Sequence, residues 1–145
     1  MGDRFHWVLL TYSIPSEPAA PRVYVWRKLK RLGAILVDGA AWVLPATPRT
    51  KEQFQWLAAE IAEMDGQATL WEADATMAGK AEALLQQFVA QVDELYTGIL
   101  AELEGEDPDL AALSRRYQQA AMSDYFQSEL GVQVREKLVH ARGGP

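Results

Sequence analysis

The chain contains no cysteine among its 145 residues. That excludes a disulfide framework, a thiolate nucleophile, a Cys-based zinc or iron–sulfur site and thiol reduction of an oxidant. Histidine is nearly as scarce, with His6 near the start and His140 near the end. No compact ligand cluster can be assembled from the local sequence, so neither a metal nor a cofactor is expected. Long apolar runs are missing too. The N-terminal stretch offers only Trp7 to Leu10 before Thr11 and Tyr12, too short for a signal h-region and far short of a membrane span. The expectation is a cytoplasmic protein without membrane contact. Glycine never clusters into a phosphate loop, a dinucleotide fingerprint or a nucleophile elbow: Gly39 is isolated, Ser13 lacks flanking glycines, and Gly143 and Gly144 lie in the tail. No catalytic residue is assigned, and a non-enzymatic role is expected.

What is present is the composition of an ordinary globular domain, 49% hydrophobic and 23% charged. A chain of this length buries roughly two thirds of its unfolded surface, enough for a core without staples. The net charge of −6 argues against a generic nucleic-acid binder, but the charge is unevenly placed. Residues 1–51 hold eight Lys/Arg against three Asp/Glu, net +5; residues 52–109 hold one against fourteen, net −13; residues 110–145 hold five against three, net +2. A basic face and an acidic face are expected.

His6 to Ile14 is rich in β-branched and aromatic residues and ends at Pro15, as a buried strand does. Pro15, Pro18 and Pro21 lead into a helix running to about Leu32, with Ser16 a candidate N-cap and Gly33 its stop. On that helix Val25, Leu29 and Leu32 form one apolar stripe with Trp26 at its edge, and Arg27, Lys30 and Arg31 fall opposite. Ala34–Val37 and Ala41–Pro45 flank Asp38-Gly39-Ala40 as a hairpin. Thr47 and Thr50 are candidate caps for a helix carrying Phe54, Leu57, Ala58, Ile61 and Met64, with Gly66 supplying the left-handed residue at its end. A strand from Ala68 to about Ala73 follows. The order β-α-β-β-α-β predicts an α+β fold, a ferredoxin-like domain over residues 1–75 with two helices on one sheet face. Residues 76–145 read as a helical extension that packs on it, with helices at about 77–104, 109–121 and 124–140 and a fraying tail from Ala141.

Two long segments carry a family resemblance. Trp7-Val8-Leu9-Leu10-Thr11-Tyr12-Ser13-Ile14-Pro15-Ser16-Glu17-Pro18 followed by Arg22-Val23-Tyr24-Val25-Trp26-Arg27-Lys28-Leu29-Lys30-Arg31-Leu32-Gly33-Ala34 resembles the N-terminal domain family of the chromate-resistance regulatory protein ChrB. The likeness continues through Gly39 to Pro45, Trp56 to Ile61, Gly66 to Trp71, Arg116-Tyr117 and Asp124-Tyr125-Phe126. It implies a part in bacterial chromate response, where family members accompany an efflux transporter and regulate its expression. The C-terminal domain usual in that family is not in this sequence, so either a stand-alone homologue or a piece of a longer protein is expected, with a separate C-terminal-domain protein as one partner. Leu10 to Pro15 and Leu29 to Leu44 are also similar to the middle domain of PaaX-type repressors, itself similar to small CRISPR-associated nuclease subunits. Those nucleases carry a metal-binding aspartate near the end of the first strand, where this chain has Ser13.

The candidate ligand- or DNA-binding residues are Arg22, Trp26, Arg27, Lys30 and Arg31 on the first helix, and Arg115, Arg116 and Tyr117 further on. Spaced cations on one helix face hold phosphates or a tetrahedral oxyanion such as chromate. The plainer alternative is a solvated face, or pairing with the acidic 52–109 segment. Of the five tryptophans, Trp7, Trp42, Trp56 and Trp71 are expected to pack and Trp26 to remain available for stacking. Tyr125 and Phe126 are read as packing residues, and acidic pairs such as Asp93-Glu94 as solvated faces. The reading that emerges is a homodimeric transcription-regulating or sensor domain. Its alternatives are an interaction module without DNA binding and a metal-dependent nuclease-like enzyme.

Overall fold

The computed structural model describes residues 6–77 and 79–143. It is an α+β protein with a four-stranded antiparallel sheet and five helices. The chain divides into two compact units, Met1–Ala83 and Leu84–Pro145. No helix among the described residues is long and apolar enough to cross a membrane.

The first unit runs β1 (His6–Ser13), α1 (Ala20–Leu32), β2 (Ile35–Val37), β3 (Ala41–Pro45), α2 (Pro48–Glu63) and β4 (Gln67–Asp74). The strands lie in the order β2-β3-β1-β4. β1 is central because it is long and apolar: Leu10 pairs with Trp42 on one side and Leu70 on the other, and Val8 with Leu44 and Glu72. Strand alternation puts Val8, Leu10 and Tyr12 on one face. Val8, Leu10 and Leu44 are buried with Val25 and Leu29 of α1 and Phe54, Leu57 and Ile61 of α2. Each such side chain contributes roughly 1.5–3 kcal/mol on leaving water. Trp7 and Val43 alternate onto the opposite face and are also buried.

Local chemistry sets the element ends. Gly33 closes α1 at φ 82°, its N–H reaching the carbonyls of Leu29 and Lys30. Asp38 and Gly39 both take positive φ, 54° and 65°, and Ala40 N–H bonds the Val37 carbonyl at 3.0 Å. Two successive left-handed residues match the twist of the flanking strands. Thr47 caps α2: its Oγ1 accepts the Thr50 N–H at 3.0 Å, while Thr50 Oγ1 accepts the Thr47 N–H at 2.9 Å. Thr50 is 1% exposed, and its hydroxyl donates to the Pro45 carbonyl at 2.6 Å, tying α2 to the end of β3.

Three expectations about ends are corrected. The N-cap of α1 is Ala19, without a side-chain cap, rather than Ser16; Pro21 occupies the first turn, where its missing N–H costs nothing. Asp65, not Gly66, is the left-handed residue after α2, at φ 65°. Gly66 is required instead by a close approach, since a Cβ there would lie 2.6 Å from the Ser13 carbonyl oxygen and 2.8 Å from Ile61 Cγ2. The last helix begins at Glu129 rather than 124, because the Asp124 carboxylate folds the intervening turn by accepting the Ser128 N–H.

The second unit is built from α3 (Lys80–Leu103), α4 (Leu110–Met122) and α5 (Glu129–Ala141). Val92, Tyr96, Ile99, Leu113, Ala120, Val134 and Leu138 form its core, a 3.6-residue stripe drawn from each helix. Asp109 caps α4 by accepting the Ala112 N–H at 3.1 Å. Gly131 lets α5 approach Tyr96, whose ring would lie 2.9 Å from a Cβ at that position. The tail is held further than expected: α5 runs through Ala141, and Arg142 donates to Ser114 Oγ at 3.3 Å. Gly144 and Pro145 lie outside the described residues.

Candidate functional site

α1 carries Arg22, Arg27, Lys28, Lys30 and Arg31 and no acid. Its buried stripe of Val25 and Leu29 fixes its rotation, which leaves Arg22, Trp26, Arg27, Lys30 and Arg31 exposed. Among the described residues none of these cations stands in an ion pair. Intramolecular pairing with the acidic segment, one of the plainer alternatives, therefore does not occur among those residues, while the other, a solvated helix face, matches their exposure. Lys30 Nζ lies 5.9 Å from the centre of the Trp26 ring and Lys28 Nζ 5.7 Å from that of Tyr24, within cation–π range. The Tyr24 hydroxyl donates to Glu60 of α2 at 2.5 Å, holding the two helices at a fixed separation on their outer side.

Beside α1 runs a groove of about 550 Å³ lined by Tyr12, Ser13, Ile14, Ala19, Arg22, Val23, Trp26 and Arg27. It brings together three of the residues singled out in the sequence, Arg22, Trp26 and Arg27, with Tyr12 and Ser13 from the end of β1. Tyr12 was missed as a site residue. The signal for it was present, because alternation from Val8 and Leu10 places Tyr12 on the same sheet face. It is half-buried, and burial pushes its phenol up from the usual tyrosine range, opposed by a hydrogen bond with Trp42 and by the Arg22 charge. A second groove on the other flank of α1 includes Arg27, Lys28 and Arg31.

The α4 candidates belong to the other unit and are engaged within it. Arg116 donates to Glu102 of α3 at 2.5 Å. Tyr117 is half-buried against the helical core, its ring 6.1 Å from that of Tyr96, and Arg115 is exposed. Tyr125 and Phe126 pack on Phe88, with ring centres 6.1 and 6.0 Å away. Asp93 is corrected from a solvated acid to a structural one, because it is half-buried and accepts the Ser128 hydroxyl. Asp124 accepts the Tyr96 hydroxyl at 2.9 Å, and burial followed by that hydrogen bond drives the Tyr96 phenol well above its usual range. The tryptophan expectation is corrected as well. Trp7 and Trp42 are buried, but Trp56 is 67% and Trp71 53% exposed. Trp56 lies on the outer side of α2, away from Leu57, and Trp71 instead donates its N–H to Thr11 Oγ1 across the strand pair at 3.0 Å.

A separate polar cluster clasps the start of β1 to the end of β4. His6 Nδ1 lies 2.7 Å from Asp74 and Nε2 2.9 Å from Glu72, with Lys51 Nζ 3.5 Å from Glu72. The hydrogen bond to Asp74, then that to Glu72, raises the imidazole above 6.5, and the bond to His6 lowers the Glu72 carboxyl. Among the described residues no group of three or more His, Asp or Glu side chains converges in a way that could hold a metal ion.

The class these features define is an α+β sheet domain that presents a cationic, aromatic-edged helix beside a small-molecule-sized groove. The family follows from comparison with known sequences. The chain belongs to the ChrB N-terminal domain family, whose profile, described as "Protein ChrB, N-terminal", matches residues 22–102, a span that includes every cation of α1. Among curated proteins, Protein ChrB of Cupriavidus metallidurans (strain ATCC 43123 / DSM 2839 / NBRC 102507 / CH34) is 26% identical over 117 residues, which cover 77% of this chain and 36% of that relative. The chain thus spans little more than a third of that relative's length. No solved structure matches it significantly.

Proposed function

We propose that the chain is a chromate-resistance-associated regulatory domain of ferredoxin-like fold, which acts in the cytoplasm as a homodimer and holds DNA phosphates through α1. The observation that carries this reading is the helix itself: five cations, no acid, and no ion pair among the described residues. Leaving so many cations without partners on one helix costs self-repulsion, which an anionic partner removes. The β-α-β-β-α-β order and the strand order β2-β3-β1-β4 support the ferredoxin-like assignment. Membership of the ChrB N-terminal family supports the regulatory role. A tetrahedral oxyanion of the chromate class competes for the same guanidinium groups, which would couple the anion to DNA release.

The test is fluorescence anisotropy of a labelled duplex from upstream of the protein's own operon, at two salt concentrations, with and without chromate. Each phosphate contact contributes about 0.9 to the slope of log affinity against log salt, so R27A/K30A/R31A should flatten it by roughly 2.7. An unchanged slope removes α1 from the interface. Release by chromate makes the domain a self-sufficient sensor, whereas indifference to chromate places sensing elsewhere. No binding at low salt favours the interaction module instead.

A further inference from the structure

We propose that the groove between the end of β1 and the first two turns of α1 is a nucleoside-phosphate site, built to take one unpaired nucleotide rather than a bare tetrahedral anion. Size is the first argument. At about 550 Å³ the groove falls in the roughly 300–1,000 Å³ range of small-molecule pockets. An anion of one central atom and four oxygens would meet only one end of it and leave most of the lining unused.

Chemistry is the second argument. The lining divides into parts that match the parts of a nucleotide. Arg22 and Arg27 are guanidinium groups, which bind phosphate oxygens in a planar fork. Trp26 is 52% exposed, and its indole offers a flat face on which any base can stack. Lys30 lies over that ring and adds positive charge beside the stacking position. Val23 and Ile14 supply apolar walls. Tyr12 brings a phenolic hydroxyl from the sheet face that carries Val8 and Leu10, and Ser13 lines the groove at the exposed end of the strand. An aromatic platform, two guanidinium groups and a phenolic hydroxyl within one groove exceed what duplex phosphates alone would use. The site shares Arg22, Arg27 and Lys30 with the duplex face proposed above and does not otherwise depend on it. The same chemistry is offered by a free mononucleotide and by an unstacked nucleotide in a single strand.

Isothermal titration of the full chain with adenosine 5′-monophosphate, inorganic phosphate, adenosine and a 5′-phosphorylated tri-adenylate separates these cases. The expected result is that the monophosphate or the tri-adenylate binds at least tenfold more tightly than inorganic phosphate. Trp26→Ala should weaken that ligand by about 5- to 100-fold, the range of one base stack, while Trp26→Phe retains most of the affinity. Arg22→Ala should weaken the phosphorylated ligands and spare adenosine. Binding of the monophosphate identifies a free nucleotide; binding of the tri-adenylate alone, still lost in Trp26→Ala, identifies a strand. Inorganic phosphate binding as tightly as every nucleotide, or Trp26→Ala binding like the parent, overturns the proposal, as does the absence of binding by both nucleotides. Duplex anisotropy on the same variants keeps the two readings apart, because nucleotide binding that survives the loss of duplex binding refutes only the duplex face, and the converse refutes only the groove.

Discussion

Gly66→Ala tests the packing at the centre of the first unit by the sign of its effect. At a glycine with ordinary φ and free space, alanine stabilises a protein by roughly 0.4–1 kcal/mol, because it restricts the unfolded chain. Gly66 is not among the positive-φ residues, so backbone strain does not enter. Space does: the added Cβ would lie 2.6 Å from the Ser13 carbonyl oxygen, 2.8 Å from Ile61 Cγ2 and 3.0 Å from Ile14 Cγ1. The first of these is backbone in the paired end of β1, where Ser13 is in register with Gln67, and it cannot turn aside as a side chain tip does. Overpacking of this kind costs about 1–3 kcal/mol, which outweighs the entropic gain. With a urea slope of roughly 1–3 kcal/mol per molar, the midpoint should fall by on the order of 1 M. Tryptophan fluorescence is a clean assay, because Trp7, Trp26, Trp42, Trp56 and Trp71 all lie in the first unit and the second has none. A midpoint that stays put or rises would refute the close approach of the α2–β4 turn to β1.

Thr50→Val removes the donor to the Pro45 carbonyl and one half of the reciprocal cap, and should lower the tryptophan-detected stability by about 1–3 kcal/mol. Tyr96→Phe leaves Asp124 with only the Ser128 N–H, and should destabilise the helical unit by roughly 1.5–3 kcal/mol, read from helical circular dichroism. The His6 clasp has a defined pH window. Because the folded imidazole titrates above 6.5, its contribution is complete below that value and is lost as pH rises through the folded pKa; that of Glu72, lowered from 4.5, is present above 4.5 and lost as pH falls through the folded carboxyl pKa. Proton NMR should place the His6 midpoint above 6.5 and return it towards 6.5 in E72Q/D74N, and an unshifted midpoint in the parent would contradict the clasp.

Elements whose causes are local were legible in the chain. Gly33 stops α1, Asp38-Gly39 turns the hairpin, and Thr47 with Thr50 caps α2, each through residues within a few positions of one another. The α1 stripe was legible for the same reason, and with it the exposure of the cations opposite. What escaped depended on neighbours distant in sequence. Asp65 takes the left-handed turn, while Gly66 is needed for its close approach to Ser13, some fifty residues upstream. Asp93 looked like a solvated acid until the helices brought Ser128 to it, and the bond from Tyr96 to Asp124 likewise joins residues 28 positions apart. Trp56 sits next to a core residue in sequence yet points away from the core, since adjacent helix positions are about 100° apart.

The sequence by itself therefore determined the elements, the concentration of positive charge on one helix, and the family, because periodicity, capping and motif are properties of short segments. Only the tertiary structure decided that Tyr12 and Ser13 of β1 share a groove with Arg22, Trp26 and Arg27, and that the cations remain unpaired among the described residues. Both depend on how α1 is seated beside the sheet, and that seating is set by the simultaneous burial of Val25, Leu29, Leu10 and Leu44, which no local pattern contains.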